Sequence, residues 1–281
     1  MAKEFIDKII QSLIHMLPSL KIYGDPRSVI VFGSAVRPTD FVKGVSDVDV
    51  LIITKGRPKR RHYQLEIYET EINISFMSID EVYNVFRKGY PLAFILYKDS
   101  RVIMDDGAFS SLISTLRPKV TEHTLRTLRR SSFVALILGL EKYFYGLYRG
   151  AISHAYHAVR HMARYKACLK GINADDFPIS DAEVSPHLST PAREVYELLI
   201  DLRRRDVAKD ECLDALEAAR SVISSEMSCC IPNFHEIERK VEQEGGCVDF
   251  VDIKERECSI EIICFIRDPL NVLRFKCTKR C

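Results

Sequence analysis

The alternation of apolar and polar positions divides the chain into a strand-rich first part and a helix-rich second part. Up to about residue 117, short apolar runs bounded by turn residues predict strands, and the intervening segments have helical spacing. The predicted strands cover residues 28–32, 48–53, 72–77 and 101–104, and the predicted helices cover residues 79–86 and 91–97. This pattern is typical of a small α/β sheet.

From residue 121 onward, apolar residues recur at helical spacing and predict an antiparallel bundle. The predicted helices are residues 124–148, 151–169, 191–204 and 209–227, with breaks at Gly150 and at the proline-containing segment 171–191. After residue 231 a helical stretch leads into three β-rich segments, CVDFVDIKE, CSIEIICFIRD and NVLRFKCT. We expect these to pair as a meander, or to add strands to another sheet or to a partner subunit.

These patterns predict an α+β fold in three segments along the chain. A small mixed-sheet domain takes residues 1–116, a helical bundle takes residues 117–230, and a short β-rich extension takes residues 231–281. The N-terminal stretch MAKEFIDKIIQSLIHML is amphipathic rather than a signal peptide, and no apolar run approaches the roughly 20 residues that a membrane span needs. We therefore expect a cytoplasmic protein with no membrane contact.

Charge and cysteine content refine this picture. The formal net charge is +2, from 41 basic and 39 acidic residues, which argues against a general polyanion binder but leaves room for local basic clusters. All nine cysteines lie at Cys168 or later, and an odd number cannot pair completely. We expect reduced thiols. Disulfides within residues 229–281 are the alternative, because 28% charged residues and few amides are typical of a thermophile.

Two acids on one predicted strand are the clearest chemical signal. Because strand side chains alternate, Asp47 and Asp49 project from one face while Val48 and Val50 point into the core. Carboxylates about 7 Å apart along a strand repel each other unless a cation lies between them. Magnesium prefers one or two carboxylates together with phosphate oxygens and water. The sequence therefore predicts a magnesium site at the start of this strand.

A glycine-serine turn complements the two acids. Gly33 and Ser34 follow the first predicted strand, where a glycine lets backbone N–H groups approach a phosphate and a short helix offers its positive end. Pro38 is expected to end that helix after one turn. Each feature alone is commonly only a turn or a solvated strand edge. The order of strand, Gly-Ser, spacer, Asp-Val-Asp and strand is what makes a phosphate and metal site the favoured interpretation.

These residues carry a resemblance to a known family. The pair Gly33-Ser34 followed by Asp47-Val-Asp49 resembles the nucleotidyltransferase superfamily related to DNA polymerase β. The layout is similar to minimal nucleotidyltransferases joined to a HEPN-like helical domain, on the segment AYHAVRHMAR near residue 160. The resemblance implies that Gly33, Ser34 and Arg37 contact the nucleotide, such as ATP. It also implies that the two aspartates bind two Mg²⁺ ions, with Mn²⁺ as an alternative.

The family also has a third carboxylate on a neighbouring strand, and YETEINISFMS is where we expect it. Alternation places Glu69, Glu71, Asn73 and Ser75 on one face. We choose Glu71 as a metal ligand and as the base toward the acceptor hydroxyl, with Glu69 as the alternative. If Asn73 is instead the equivalent position, its amide cannot ionise and catalysis is in doubt.

The resemblance implies transfer of a nucleoside monophosphate from a nucleoside triphosphate to an acceptor hydroxyl, with release of pyrophosphate. The alternative is a non-catalytic, antitoxin-like module that binds a nucleotide or a partner. A ribonuclease of the HEPN kind is disfavoured, because the segment 202–210 has no histidine after the arginines at 203–205 and the Arg149–His154 match straddles Gly150, a predicted helix break. His157 and His161 have a metal-ligand spacing, although helical histidines are more often packed or solvated.

The segment KGRPKRRH, residues 55–62, is the candidate contact for the acceptor. It directly follows the strand that carries the aspartates, and its glycine and proline predict a loop near the metal site. Lys59, Arg60 and Arg61 would then hold an RNA acceptor through its phosphates, unless the segment is merely a solvated turn. RNA and a second copy of the chain are thus candidate partners beside the nucleoside triphosphate.

Overall fold

The computed structural model describes residues 2–245, 247–256, 258–267 and 270–277. Contacts divide the chain into two compact units, Met1–Thr127 with Ala167–Asp181 and Leu128–Lys166 with Ala182–Cys281. The division into three segments along the chain stays a prediction.

The first unit is built on a mixed five-stranded sheet in the order β3-β4-β2-β1-β5. Strands β2 and β4 are parallel, and the other neighbouring pairs are antiparallel. The strands are β1 (Pro26–Phe32), β2 (Val48–Thr54), β3 (His62–Ile67), β4 (Thr70–Ser78) and β5 (Ser100–Asp105).

Helices cover the two faces of this sheet. Alternate strand residues such as Val29, Val50 and Ile72 pack against α1 (Ala2–Leu20) on one face. The residues between them, including Ile30 and Leu51, form a second core with α2, α3 and α4 on the other face. These helices are α2 (Ile79–Lys88), α3 (Pro91–Lys98) and α4 (Ala108–Thr115). Asp49 and Asn73 project from the face that carries α2 to α4, because side chains alternate along a strand.

The second unit combines helices with a small antiparallel sheet in the order β6-β7-β8. Apolar side chains of the helices and of one sheet face share a single core. The helices are α5 (Glu122–Phe144), α6 (Tyr148–Leu169), α7 (Asp181–Val184), α8 (Thr190–Leu202), α9 (Lys209–Glu226) and α10 (Phe234–Glu244), and α5 and α6 begin or end in the first unit. The strands are β6 (Cys247–Glu255), β7 (Ile260–Arg267) and β8 (Asn271–Phe275).

The predicted α+β class is confirmed, and the C-terminal strands pair as a meander. One helix boundary was wrong: Gly150 lies inside α6, and the break falls at Gly146, whose φ of +72° suits a glycine.

A disulfide joins Cys230 to Cys277, while the other cysteines of the described ranges are thiols. Within those ranges, none of the helices combines the length and apolar character that a membrane crossing requires.

Candidate functional site

The turn after β1 is shaped by a glycine. Gly33 begins a four-residue 3₁₀ turn, Gly33–Val36, and has a φ of +77°, which L side chains rarely adopt. A Cβ at this position would lie 3.0 Å from Oδ2 of Asp49. The backbone of the turn therefore lies so close to the Asp49 carboxylate that any residue other than glycine would displace it. The one-turn helix expected here is present as this 3₁₀ turn.

Sheet pairing brings the turn and both aspartates to the same end of the sheet. Asp49 is the second residue of β2 and lies in register with Phe32, the last residue of β1. Asp47 directly precedes β2, and Oγ of Ser34 lies 3.5 Å from its backbone carbonyl oxygen. The Gly-Ser pair and the Asp-Val-Asp motif are separated by twelve residues in sequence and meet because β1 and β2 are antiparallel neighbours.

Strand β4 contributes an amide rather than a third acid at this end of the sheet, which we call the edge. Asn73 lies in register with Asp49, and its Nδ2 donates a 2.7 Å hydrogen bond to Oδ2 of Asp47. Glu71 lies one pleat nearer the end of the sheet and is exposed. Glu69 lies outside the strand, in a turn with a φ of +58°. Asn73 is therefore the β4 side chain in direct contact with the aspartates.

The electrostatics of the edge centre on Asp49. Burial, the charge of Asp47 and the charge of Glu71 together raise the pKa of Asp49 to about 7, with burial as the largest cause. A carboxylate in this state is stabilised in its charged form by any nearby cation. Negative charge is therefore concentrated around Asp49 at this end of the sheet.

Comparison with known proteins bears on this edge. Residues 6–100 match the family model described as "Nucleotidyltransferase domain". The match covers the whole of β1 to β4 and, with it, every residue of the edge described above. It supports a nucleotidyl transfer function in general terms.

Other comparisons add little to this match. The chain aligns with the solved structure of a nucleotidyltransferase-like protein from Exiguobacterium sibiricum 255-15, at 14% identity and a TM-score of 0.35, over 95% of this chain and 98% of that one. No curated protein matches the chain. A HEPN-like second domain stays a prediction.

The donor set at this end of the sheet fits a divalent cation. Asp47 and Asp49 offer carboxylate oxygens from one face, and the raised pKa of Asp49 marks a position where positive charge would be stabilising. Across the described ranges, no group of three or more His, Cys, Asp or Glu side chains is arranged to hold a metal. The two aspartates therefore fit an ion that completes its shell with phosphate oxygens and water.

Arg37, which is predicted to contact the nucleotide, forms ion pairs with two carboxylates. Its Nε lies 2.8 Å from Oδ2 of Asp40, and its guanidinium also contacts the carboxylate of Asp99. Its side chain is only 13% exposed. Arg37 thus joins the loop after the Gly33 turn to the start of β5, and a phosphate would have to compete with two carboxylates for it.

The basic segment lies at the other end of the sheet, which corrects its expected position beside the metal site. The segment begins after Thr54, the last residue of β2. Thr54 is five positions along the strand from Asp49, a distance of about 17 Å. Arg61 pairs with Glu81 on α2, and the guanidinium of Arg60 lies 5.0 Å from the ring centre of Tyr63. Sequence adjacency misled here because a strand carries the chain away from the site.

Lys59, the third basic residue proposed for the acceptor, belongs to the same distant end. Its backbone N–H donates a 2.8 Å hydrogen bond to the carbonyl of Tyr23, beyond the far edge of the sheet. Whether Lys59, Arg60 and Arg61 contact RNA stays a prediction, but their placement separates that contact from the aspartates.

The histidines of α6 include His157, which is buried close to arginine side chains. Burial and the nearby charges of Arg203 and Arg160 hold the pKa of His157 well below its usual value. Arginines so close disfavour a second cation. Arg149 and His154 lie on one continuous helix rather than across a junction, but five residues apart they face different directions.

The sequence interpretation missed β3 and its polar side chains. The letters HYQLEI alternate polar and apolar residues, which is the usual signal of a half-buried strand. His62, Gln64 and Glu66 are exposed, whereas Tyr63 and Leu65 pack toward the α1 core. The preceding basic residues and proline predicted a loop over residues 55–62, so the start of the strand at His62 was not recognised.

Proposed function

We propose that the chain transfers a nucleoside monophosphate from a nucleoside triphosphate to an acceptor hydroxyl and releases pyrophosphate. One observation carries the proposal: the Gly33 turn lies against Asp49 at the sheet edge that also holds Asp47. A glycine turn leaves its backbone open to a phosphate, and paired carboxylates hold the cation that accompanies it. The family match over residues 6–100 supports the same general reaction.

In this proposal Asp47 and Asp49 hold Mg²⁺, with Mn²⁺ as an alternative. Glu71 supplies the third carboxylate for a second ion. When bound, such ions stabilise the negative charge on the attacking and leaving oxygens. The raised pKa of Asp49 supports this assignment, because Glu71 is close enough to contribute to it.

The remaining work belongs to the side chains and backbone of the chain itself. Gly33 and Ser34 bind the triphosphate at the end of β1. Asn73 donates its amide N–H to Asp47 and so fixes the orientation of that carboxylate. Glu71, exposed at the edge, accepts the proton of the acceptor hydroxyl.

One observation favours a second candidate, a module that binds a nucleotide without transferring it. The β4 residue in register with Asp49 is Asn73, whose amide is neutral and cannot offset the charge of a metal ion as a carboxylate does. Under this candidate, nucleotide binds in the presence of magnesium but no pyrophosphate is released.

The two candidates are separated by one assay. The wild-type protein and Asp49→Asn are incubated with Mg²⁺ or Mn²⁺, each α-labelled nucleoside triphosphate, and RNA, small hydroxyl compounds or proteins as acceptors. Transfer predicts pyrophosphate and a labelled acceptor from the wild type only. Asp80→Asn is the matched control, because Asp80 is an exposed acid at the far end of the sheet. Nucleotide binding without pyrophosphate from the wild type would support the binding module instead.

A further inference from the structure

One face of the three-stranded sheet in the second unit lies outside the core of that unit. The residues of β7 that pack into the core with the helices are Ile260, Ile262, Cys264 and Ile266. Ile263 and Phe265 lie between them in the strand and belong to the opposite face. A nearly continuous apolar run is typical of a strand that is covered on both faces. The sequence of β7 therefore suits a second layer on the face opposite the helices.

Strand register arranges this opposite face in three rows across the sheet, and we call its eight residues the outer face. The first row is Phe250, Phe265 and Val272, the middle row is Asp252, Ile263 and Arg274, and the last row contains Lys254 and Glu261. Phe250 stacks on Phe265 with ring centres 4.0 Å apart, and Phe250 and Val272 are 44% and 43% exposed. An exposed apolar row beside charged residues is typical of a protein–protein contact.

The middle row of the outer face carries opposite charges at its two ends. Asp252 lies on β6 at one side of the sheet, Arg274 lies on β8 at the other side, and Ile263 lies between them on β7. Asp252 is exposed and makes no ion pair with any residue of the described ranges. Its carboxylate can therefore pair with a cation from another molecule.

Arg274 is only partly neutralised by the sheet itself. Its Nη1 lies 3.6 Å from Oε1 of Glu261, whose carboxylate also pairs with Arg256 and Lys276. One negative charge thus faces three positive charges, and the Arg274 side chain is 57% exposed. Exposed ion pairs contribute little to stability. The guanidinium of Arg274 can therefore pair with a further carboxylate.

A two-fold rotation makes the middle row complementary to itself. In a symmetric dimer, the same surface of both copies forms the contact. If the rotation axis runs parallel to the strands, β7 of one copy faces β7 of the other, β6 faces β8, and each row meets the same row. Asp252 then faces the partner's Arg274, and Arg274 faces the partner's Asp252. The middle row would form two ion pairs on either side of a contact between the two Ile263 side chains.

The other rows are compatible with this orientation. Phe250 faces the partner's Val272, so the exposed apolar row is covered. Stacked sheets are rotated by about 30° relative to each other, so their corners diverge and the long side chain of Lys254 reaches water at the rim. An axis perpendicular to the strands would instead bring Asp252 against the partner's Asp252, and like charges repel. The charge pattern therefore favours the axis parallel to the strands.

We propose that the outer face binds a second copy of this chain in a symmetric dimer, with the strands of the two sheets aligned. Three strands about 4.8 Å apart and three rows give a contact of roughly 14 Å by 20 Å. This is less than the about 800 Å² that each partner buries in a standard interface. We therefore expect reversible association that depends on protein concentration.

Sedimentation equilibrium over a range of protein concentrations tests this dimer. The wild type should shift from the mass of one chain, 32.3 kDa, toward twice that mass. Asp252→Arg gives the middle row two basic ends and Arg274→Asp gives it two acidic ends, so each variant alone should associate at least about tenfold more weakly. An equal mixture of the two variants should associate again, because every basic end then faces an acidic one. Glu194→Arg reverses an exposed charge on α8 and should match the wild type.

Three results would overturn the proposal. A wild type that stays at the mass of one chain at every concentration would leave the outer face to a different occupant. Association that neither charge reversal weakens would place the contact elsewhere on the chain. Weakened association that mixing does not restore would exclude the pairing of Asp252 with Arg274. If circular dichroism shows that a charge reversal disturbs the fold, Asp252→Asn and Arg274→Gln replace it, and unchanged association by both would equally exclude that pairing.

Discussion

Replacing Asp49 with asparagine should stabilise the protein at alkaline pH when no divalent metal is present. Burial and the charges of two neighbouring acids raise the pKa of Asp49 from its usual 3.8 to about 7. Between these values the folded protein holds a proton that the unfolded chain releases. Stability is therefore lost as the pH rises through this window, and the Asp49→Asn variant would escape that loss because an amide does not titrate.

The magnitude follows from the size of the shift. A shift of about three pKa units, at about 1.4 kcal/mol per unit, gives an upper limit of roughly 4 kcal/mol above pH 7. Because Asp49 keeps some contact with solvent, we expect a gain of about 2 to 4 kcal/mol in the free energy of unfolding at about pH 8. Below about pH 4 the carboxyl is protonated in both states, and this contribution disappears.

Urea denaturation with a chelator, at a series of pH values from about 4 to 8, measures this difference directly. The control is Asp80→Asn, which removes one exposed acid far from Asp49. Adding Mg²⁺ at the alkaline end should then stabilise the wild type more than Asp49→Asn, because ligand binding to the folded state adds to its stability. A stability difference that does not change with pH would refute the reasoning.

Three further predictions concern other positions in the first unit. Gly33→Ala should destabilise the protein by about 1 to 3 kcal/mol in denaturation and weaken nucleotide binding in a titration, because its Cβ adds strain and crowds a carboxylate. Glu71→Gln should lower kcat by about 10²- to 10³-fold in the pyrophosphate assay, and full activity would remove Glu71 from the site. Combined replacement of Lys59, Arg60 and Arg61 by Ala should leave turnover with a small acceptor within about twofold of the wild-type value. These charges lie farther from the two aspartates than the Debye length of about 8 Å.

Much of the fold could be predicted because its signals are local. Apolar runs and helical spacing predicted β1, β2, β4 and the main helices to within a few residues. The same patterns failed for β3, because this strand directly follows a run of basic residues and no change from polar to apolar residues marks its start. They failed again at Gly150, because a glycine inside a helix and a glycine that ends one have the same letter and differ only in backbone conformation.

Only the part of the candidate site that lies on two consecutive strands could be predicted from the sequence. Two aspartates and a Gly-Ser turn meet because consecutive β1 and β2 pair antiparallel. The hydrogen bond from Asn73 to Asp47 needed the register of β4, which no short pattern encodes. The position of Arg37 depended on Asp99, more than sixty residues away in the sequence. Contacts of this range arise from tertiary packing and are invisible to local spacing.

The most direct test of the central claim is pyrophosphate release by the wild type and by Asp49→Asn, in parallel, with Mg²⁺ and each nucleoside triphosphate. Both proteins are first shown to be folded by circular dichroism, so that a lost activity reflects the site. We predict release by the wild type with at least one nucleotide and acceptor, and a loss of at least about a hundredfold in Asp49→Asn, because removing this carboxylate removes several kcal/mol of charge stabilisation. Equal release by the two proteins would contradict the account.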